Sequence, residues 1–162
     1  MKKFIALFAL MVITLASYAQ VYKMYSTRNY HNQLRLNTMT GEVQQIQDDG
    51  QSWIVCSARE ISGDKESRFR LYETQNMWTF ILLDSYNGRL WQVQYSAQDL
   101  DNLFCIPINK YELVSDNENC IFSIQPLTSM YQYYLINDRT GDMWKFQWST
   151  KGDDYRWIEK FK

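Results

Sequence analysis

Three stretches of the chain carry close carboxylates: Asp48-Asp49, Asp99 with Asp101, and Asp153-Asp154. Carboxylates gathered on one rim suit calcium, a hard cation that takes about six to eight oxygens. Two carboxylates facing across a cleft suit glycoside hydrolysis. No calcium-loop spacing accompanies these residues, and nothing in their order sets two across a cleft. A solvated acidic rim is the favoured reading, and no metal site is assigned. The single histidine, His31, sits in a predicted strand with no cysteine near it in sequence, so no nucleophile–base pair is assigned. Phosphate loops, zinc spacings and the nucleophile elbow are all missing. The chain therefore reads as a non-enzyme, with no catalytic residues and no cofactor.

Polar and aromatic residues in register are the remaining candidates. Gln47, Gln94 and Gln147 recur at one position of an internal repeat. Three such amides can converge on a polar channel that holds a small ligand. The plainer alternative, which is favoured, has each amide satisfying nearby backbone. His31, Trp78 and Tyr131 share another position, and their rings suit stacking on a sugar or peptide. A core layer is the favoured alternative for them. Tyr86 and Arg89 flank a turn and are expected to make exposed contacts, because loop tips often carry function.

Cys56, Cys105 and Cys120 make an odd number, so at most one internal bridge forms. Cys105 and Cys120 lie on consecutive predicted strands and can pair. The favoured reading is three small, buried, apolar side chains.

These residues hang on a repeat. Tyr30–Gln47, Met77–Gln94 and Met130–Gln147 each read as a hairpin closed by a glycine, at Gly41, Gly88 and Gly141, spaced 47 and 53 residues apart. Glycine there supplies a turn with positive φ. Asn37, Asp84 and Asn137 or Asp138 precede it, where short polar side chains bond local backbone. Each repeat reads as four strands. They are 21–26, 31–38, 42–47 and 52–57; then 68–73, 77–84, 89–96 and 103–108; then 120–125, 130–137, 142–149 and 156–161. Residues 110–114 are an extra strand or a linker. No stretch keeps a helical period, so no helix is expected after the leader. Met77–Asp84 is apolar on both faces, which calls for cover on both sides. The fold class is all-β: three repeats of four antiparallel strands in a small three-bladed, propeller-like domain, with a β-trefoil as the alternative.

The segment Leu82–Trp91, LLDSYNGRLW, resembles the tryptophan-docking hairpin of quinoprotein-type β-propellers, whose pattern runs roughly Leu-Asp-x-x-Thr-Gly-x-x-x-Trp; Ile136–Trp144, INDRTGDMW, resembles it too. Here tryptophan follows glycine by three positions rather than four, and Gln44 stands in its place in the first repeat. The resemblance implies a blade-like hairpin and carries no residues for a quinone.

Residues 1–19 read as a secretory signal peptide: Lys2-Lys3, an apolar run over Phe4–Leu15, and Ser17-Tyr18-Ala19 as the cleavage site. The remainder, residues 20–162, is expected to form a single domain that is not membrane-spanning and is exported to the periplasm, cell surface or medium. Without Lys2 and Lys3 it carries 15 basic against 18 acidic side chains. That balance gives no basic patch for nucleic acid. The expected function is binding of a protein or glycan partner through loops and rim. An inhibitor or immunity-type protein and a glycan-acting hydrolase are the alternatives. A three-bladed ring is very small, so a homodimer completing six blades is also expected to be possible.

Overall fold

The computed structural model describes residues 20–116 and 121–161. The leader reading and Cys120 fall outside them. Twelve strands form three antiparallel four-stranded sheets, each drawn from a single repeat and ordered as in the chain. The first sheet holds β1 (Tyr22–Ser26), β2 (Asn32–Asn37), β3 (Val43–Gln47) and β4 (Ser52–Cys56). The second holds β5 (Phe69–Glu73), β6 (Thr79–Asp84), β7 (Leu90–Gln94) and β8 (Phe104–Pro107). The third holds β9 (Phe122–Pro126), β10 (Gln132–Asn137), β11 (Met143–Gln147) and β12 (Trp157–Lys160). A trefoil would pair strands of different repeats in one barrel, so the sheet order replaces that alternative.

The sheets stack in chain order. Call the face toward the next sheet forward and the opposite face rear. Leu34, Leu36, Val43 and Cys56 on the forward face of the first sheet pack against Phe69, Leu71, Phe80, Leu82, Trp91 and Val93 on the rear face of the second. Ile81, Leu83, Leu90 and Ile108 on the forward side of the second pack against Phe122, Ile124, Tyr133, Leu135, Trp144 and Phe146 on the rear face of the third. Neither core mixes the first sheet with the third. Position in this stack explains the patterns. Every residue of β6 is buried, whereas β2 and β10 alternate. Its neighbours Ile81 and Leu82 point to opposite cores, and each such burial is worth about 1.5–3 kcal/mol.

Polar links repeat at both joints. The Phe69 amide donates to the Thr38 carbonyl at 2.9 Å, and the equivalent Phe122 amide to the Ser85 carbonyl at 2.8 Å. Gln45 and Gln92, both fully buried, reach forward to Ser96 and Ser149. At the first joint Cys56 and Cys105 form a disulfide with their Cα atoms 5.2 Å apart. This corrects the reading of three unpaired cysteines and of a Cys105–Cys120 pair. Cys56 faces forward on β4 and Cys105 rearward on β8, so stacking, not strand succession, makes them neighbours.

One further expectation changes, and one pair of alternatives is decided. One helical turn, α1 (Ala58–Ile61), follows β4, with the Ser57 hydroxyl accepting from the Arg59 amide and Ile61 entering the first core. Short 3-10 turns cover Leu100–Asn102 and Asp153–Tyr155. A four-residue turn is too short to leave a helical period in the sequence. Residues 110–114 form no strand; they are a linker laid over the second hairpin turn, with the Leu113 amide donating to the Asn87 carbonyl.

Candidate functional site

The ends of β3, β7 and β11 build one motif three times. The repeated glutamine ends the strand, and the next residue turns its side chain toward the ring that opens β2, β6 or β10. In the second sheet Trp78 lies 5.3 Å from Tyr95, the planes tilted by 53°. In the third, Tyr131 lies 4.9 Å from Trp148 at the same tilt. In the first, the His31 ring nitrogen Nδ1 is 2.6 Å from an Asp48 carboxylate oxygen. That hydrogen bond holds the Asp48 carboxyl below the usual carboxylate range.

The inner member of each aromatic pair is locked by the backbone. The Tyr95 hydroxyl donates to the Met77 carbonyl at 2.5 Å, and Trp148 Nε1 donates to the equivalent Met130 carbonyl at 3.0 Å. Both inner rings are buried. Burial pushes the Tyr95 hydroxyl above its ordinary value, so it stays a donor. The outer member is left open: Trp78 is half-buried and Tyr131 exposed.

A groove of about 610 Å³ runs beside Trp78, lined further by Asn29, Gln94, Ser96, Asp99 and Asn102. Its floor is fixed. Gln94 Nε2 donates to the Asn102 carbonyl at 3.4 Å, and Asp99 accepts from the Asp101 amide at 3.0 Å and from Asn102 Nδ2 at 2.6 Å. A smaller cavity of about 210 Å³ lies in the equivalent place on the third sheet, against Tyr131, Gln147, Trp148 and Tyr155. A flat aromatic face beside amides and a carboxylate can take a ligand that is apolar on one side and hydroxyl-rich on its edge.

The sequence candidates fall into two groups. Trp78 with Gln94, and Tyr131 with Gln147, come together in these clefts. The three glutamines do not bond one another. Gln47 donates to the Ala97 carbonyl at 3.1 Å and Gln147 to that of Tyr155 at 3.0 Å, as Gln94 does to Asn102. Tyr86 and Arg89 lie elsewhere and differ from expectation. Both are half-buried: Tyr86 sits near the Lys65 and Arg68 side chains, and the Arg89 guanidinium lies 4.5 Å from the centre of the Trp91 ring. The linker over that turn removes the exposed tip. The acidic loops bond local backbone or the nearby side chains His31, Gln51, Asn102 and Arg156, and among the described residues no group of three or more His, Cys, Asp or Glu is placed to hold a metal ion.

Sequence reasoning missed Tyr95, Trp148 and Asp48 as partners of the rings. The signal was available, because each directly follows a repeated glutamine. No family model, curated protein or solved structure matches the chain.

Proposed function

We propose that the protein is an exported, non-catalytic binding protein of the cell envelope that takes a glycan in the Trp78 groove. One observation carries this reading: Trp78 is held by Tyr95 yet left open beside Asn29, Gln94, Asp99 and Asn102. Sugars present an apolar ring face and a hydroxyl edge, and this groove offers a ring plane and hydrogen-bonding side chains to match. The Cys56–Cys105 bridge supports export, since such bonds persist in oxidising compartments. Among the described residues no helix is long and apolar enough to cross a membrane.

The test is titration of the purified protein with soluble envelope oligosaccharides, read by calorimetry and by release of reducing ends. Binding that falls at least tenfold in Trp78→Ala, at unchanged melting temperature, supports the reading. Reducing-end release that vanishes in Asp99→Asn supports a hydrolase instead. Binding that Trp78→Ala leaves intact overturns the site.

A further inference from the structure

Among the described residues the stack leaves two sheet faces uncovered: the forward face of the third sheet and the rear face of the first. We propose that these two faces meet, so that the protein self-associates head to tail, with its third sheet seated on the first sheet of a second copy.

Repeat equivalence defines the joint. On the third sheet, Tyr134, Ile136, Met143 and Phe161 occupy the positions of Leu34, Leu36, Val43 and Cys56, and of Ile81, Leu83, Leu90 and Ile108. Those eight residues form the forward sides of the two internal joints. The third-sheet set is apolar throughout, yet Phe161 is 48% exposed. The rear face of the first sheet carries Tyr22 and Met24, where the internal joints have Phe69 and Leu71 or Phe122 and Ile124. Both are about half exposed, and Ile54 beside them is 59% exposed.

The polar links have counterparts too. At the internal joints Gln45 meets Ser96 and Gln92 meets Ser149. By repeat count the residues at those two positions are Lys145 and Asp49; Asp49 lies in the β3–β4 turn, where its carboxylate accepts from the Gln51 amide at 2.9 Å and from Gln51 Nε2 at 2.8 Å. An ammonium donates but cannot accept. It can reach the Asp49 carbonyl as Gln45 reaches that of Ser96, and it adds attraction to the Asp49 carboxylate. A joint between copies thus gains opposite charges where the internal joints are neutral. The backbone link has counterparts as well: the Tyr22 amide and the Asp138 carbonyl are the equivalents of the Phe69 amide and the Thr38 carbonyl.

The occupant follows from this pairing. The other rear positions hold Gln33, Arg35 and Gln44 where the second sheet has Phe80, Leu82 and Trp91, so the contact centres on the apolar strip of Tyr22, Met24 and Ile54. A symmetric meeting of two third sheets would leave Tyr22, Met24 and Ile54 uncovered. Head-to-tail contacts either close or propagate, and two copies carry both joints at once if they close.

The experiment is light scattering of the purified protein across micromolar concentrations, for the native chain, Lys145→Glu, Asp49→Lys and the double exchange. The expected result is a species of two chains, at least tenfold weaker in each single variant and restored in the double variant. Melting temperatures at low concentration establish that the variants fold. A ladder of larger species that both single variants collapse supports the same joint without closure. A one-chain mass throughout overturns the proposal, and so does a two-chain species that Asp49→Lys leaves unchanged.

Discussion

Gln45, fully buried on the first sheet, receives a hydrogen bond at Oε1 from the Ser96 amide beyond β7, 3.2 Å away, and returns one from Nε2 to the Ser96 carbonyl at 2.6 Å. One side chain therefore satisfies both backbone groups of a residue on the next sheet. Gln92 repeats half of this arrangement: its Oε1 accepts from the Ser149 amide at 3.2 Å, while its buried Nε2 has no partner among the described residues. Leaving a buried polar group unsatisfied costs about 1–3 kcal/mol. Gln45→Ala is therefore expected to destabilise by about 2–5 kcal/mol and Gln92→Ala by about half as much. Urea unfolding of both variants checks the order; equal losses would remove the two-point role of Gln45.

The three turn glycines share a left-handed conformation, with φ of +79° at Gly41, +77° at Gly88 and +76° at Gly141. Their surroundings differ. A Cβ at Gly141 meets nothing within 4 Å, at Gly88 it lies 3.0 Å from Leu113 Cδ1, and at Gly41 it lies 2.4 Å from Ile61 Cγ2. Alanine at Gly141 is expected to cost only the backbone term, about 1–2 kcal/mol. Gly88→Ala should cost more and Gly41→Ala most, because Ile61 and Phe69 must move. Melting temperatures of the three variants test the ranking, which gives way to three equal losses if the backbone term alone decides.

The strands were legible because apolar alternation and turn glycines agree in all three copies, and their bounds differ from expectation by at most two residues. What faces what was less legible. The strand ranges read from the sequence set Cys56 level with Pro107 and Lys160; the structure, through a register shift at Val43/Gln44, sets it level with Ile108 and Phe161, and its neighbour Cys105 is set by how one sheet lies on another. The same holds for Tyr86, whose exposure depends on a linker 25 residues further on. The clefts were half legible: Trp78 and Tyr131 were visible as equivalent rings, and their partners became visible only once the strand ends were paired.

The Cys56–Cys105 bridge closes a span of 49 residues between the first and second sheets. By chain entropy a closure of that size is worth about 4 kcal/mol, with measured values commonly about 2–4. The double variant Cys56→Ser/Cys105→Ser is expected to lose that much by urea unfolding. Thiol titration of the unfolded native protein should find one free thiol among three cysteines. Three free thiols would remove the bridge.

Arg68 anchors the other end of the second sheet. Its Nη2 lies 2.7 Å from Asp84 Oδ2, its Nε also donates to that oxygen at 2.9 Å, and Nη1 donates to Asp116 at 2.8 Å. Arg68 and Asp84 are both buried. Burial works against the guanidinium's charge, but Asp84 and Asp116 outweigh it and hold Arg68 above its ordinary value. Burial pushes the Asp84 carboxyl up, against the opposing pull of Arg68. Arg68→Leu leaves that carboxylate buried without its partner, a loss of about 3–5 kcal/mol at neutral pH. The sign with pH follows from linkage. With the guanidinium gone, Asp84 in the folded variant titrates further above its ordinary 3.8, so the folded state binds a proton that the unfolded state has released. Stability of the variant therefore falls as pH rises from 3.8 through that raised value. Its deficit against the native protein should be largest at neutral pH and shrink toward acid, and Asp84→Asn in the same background should recover part of it. Urea unfolding at pH 7 and near pH 4 measures this directly, and a deficit independent of pH would mean that Arg68 stabilises by packing rather than by charge.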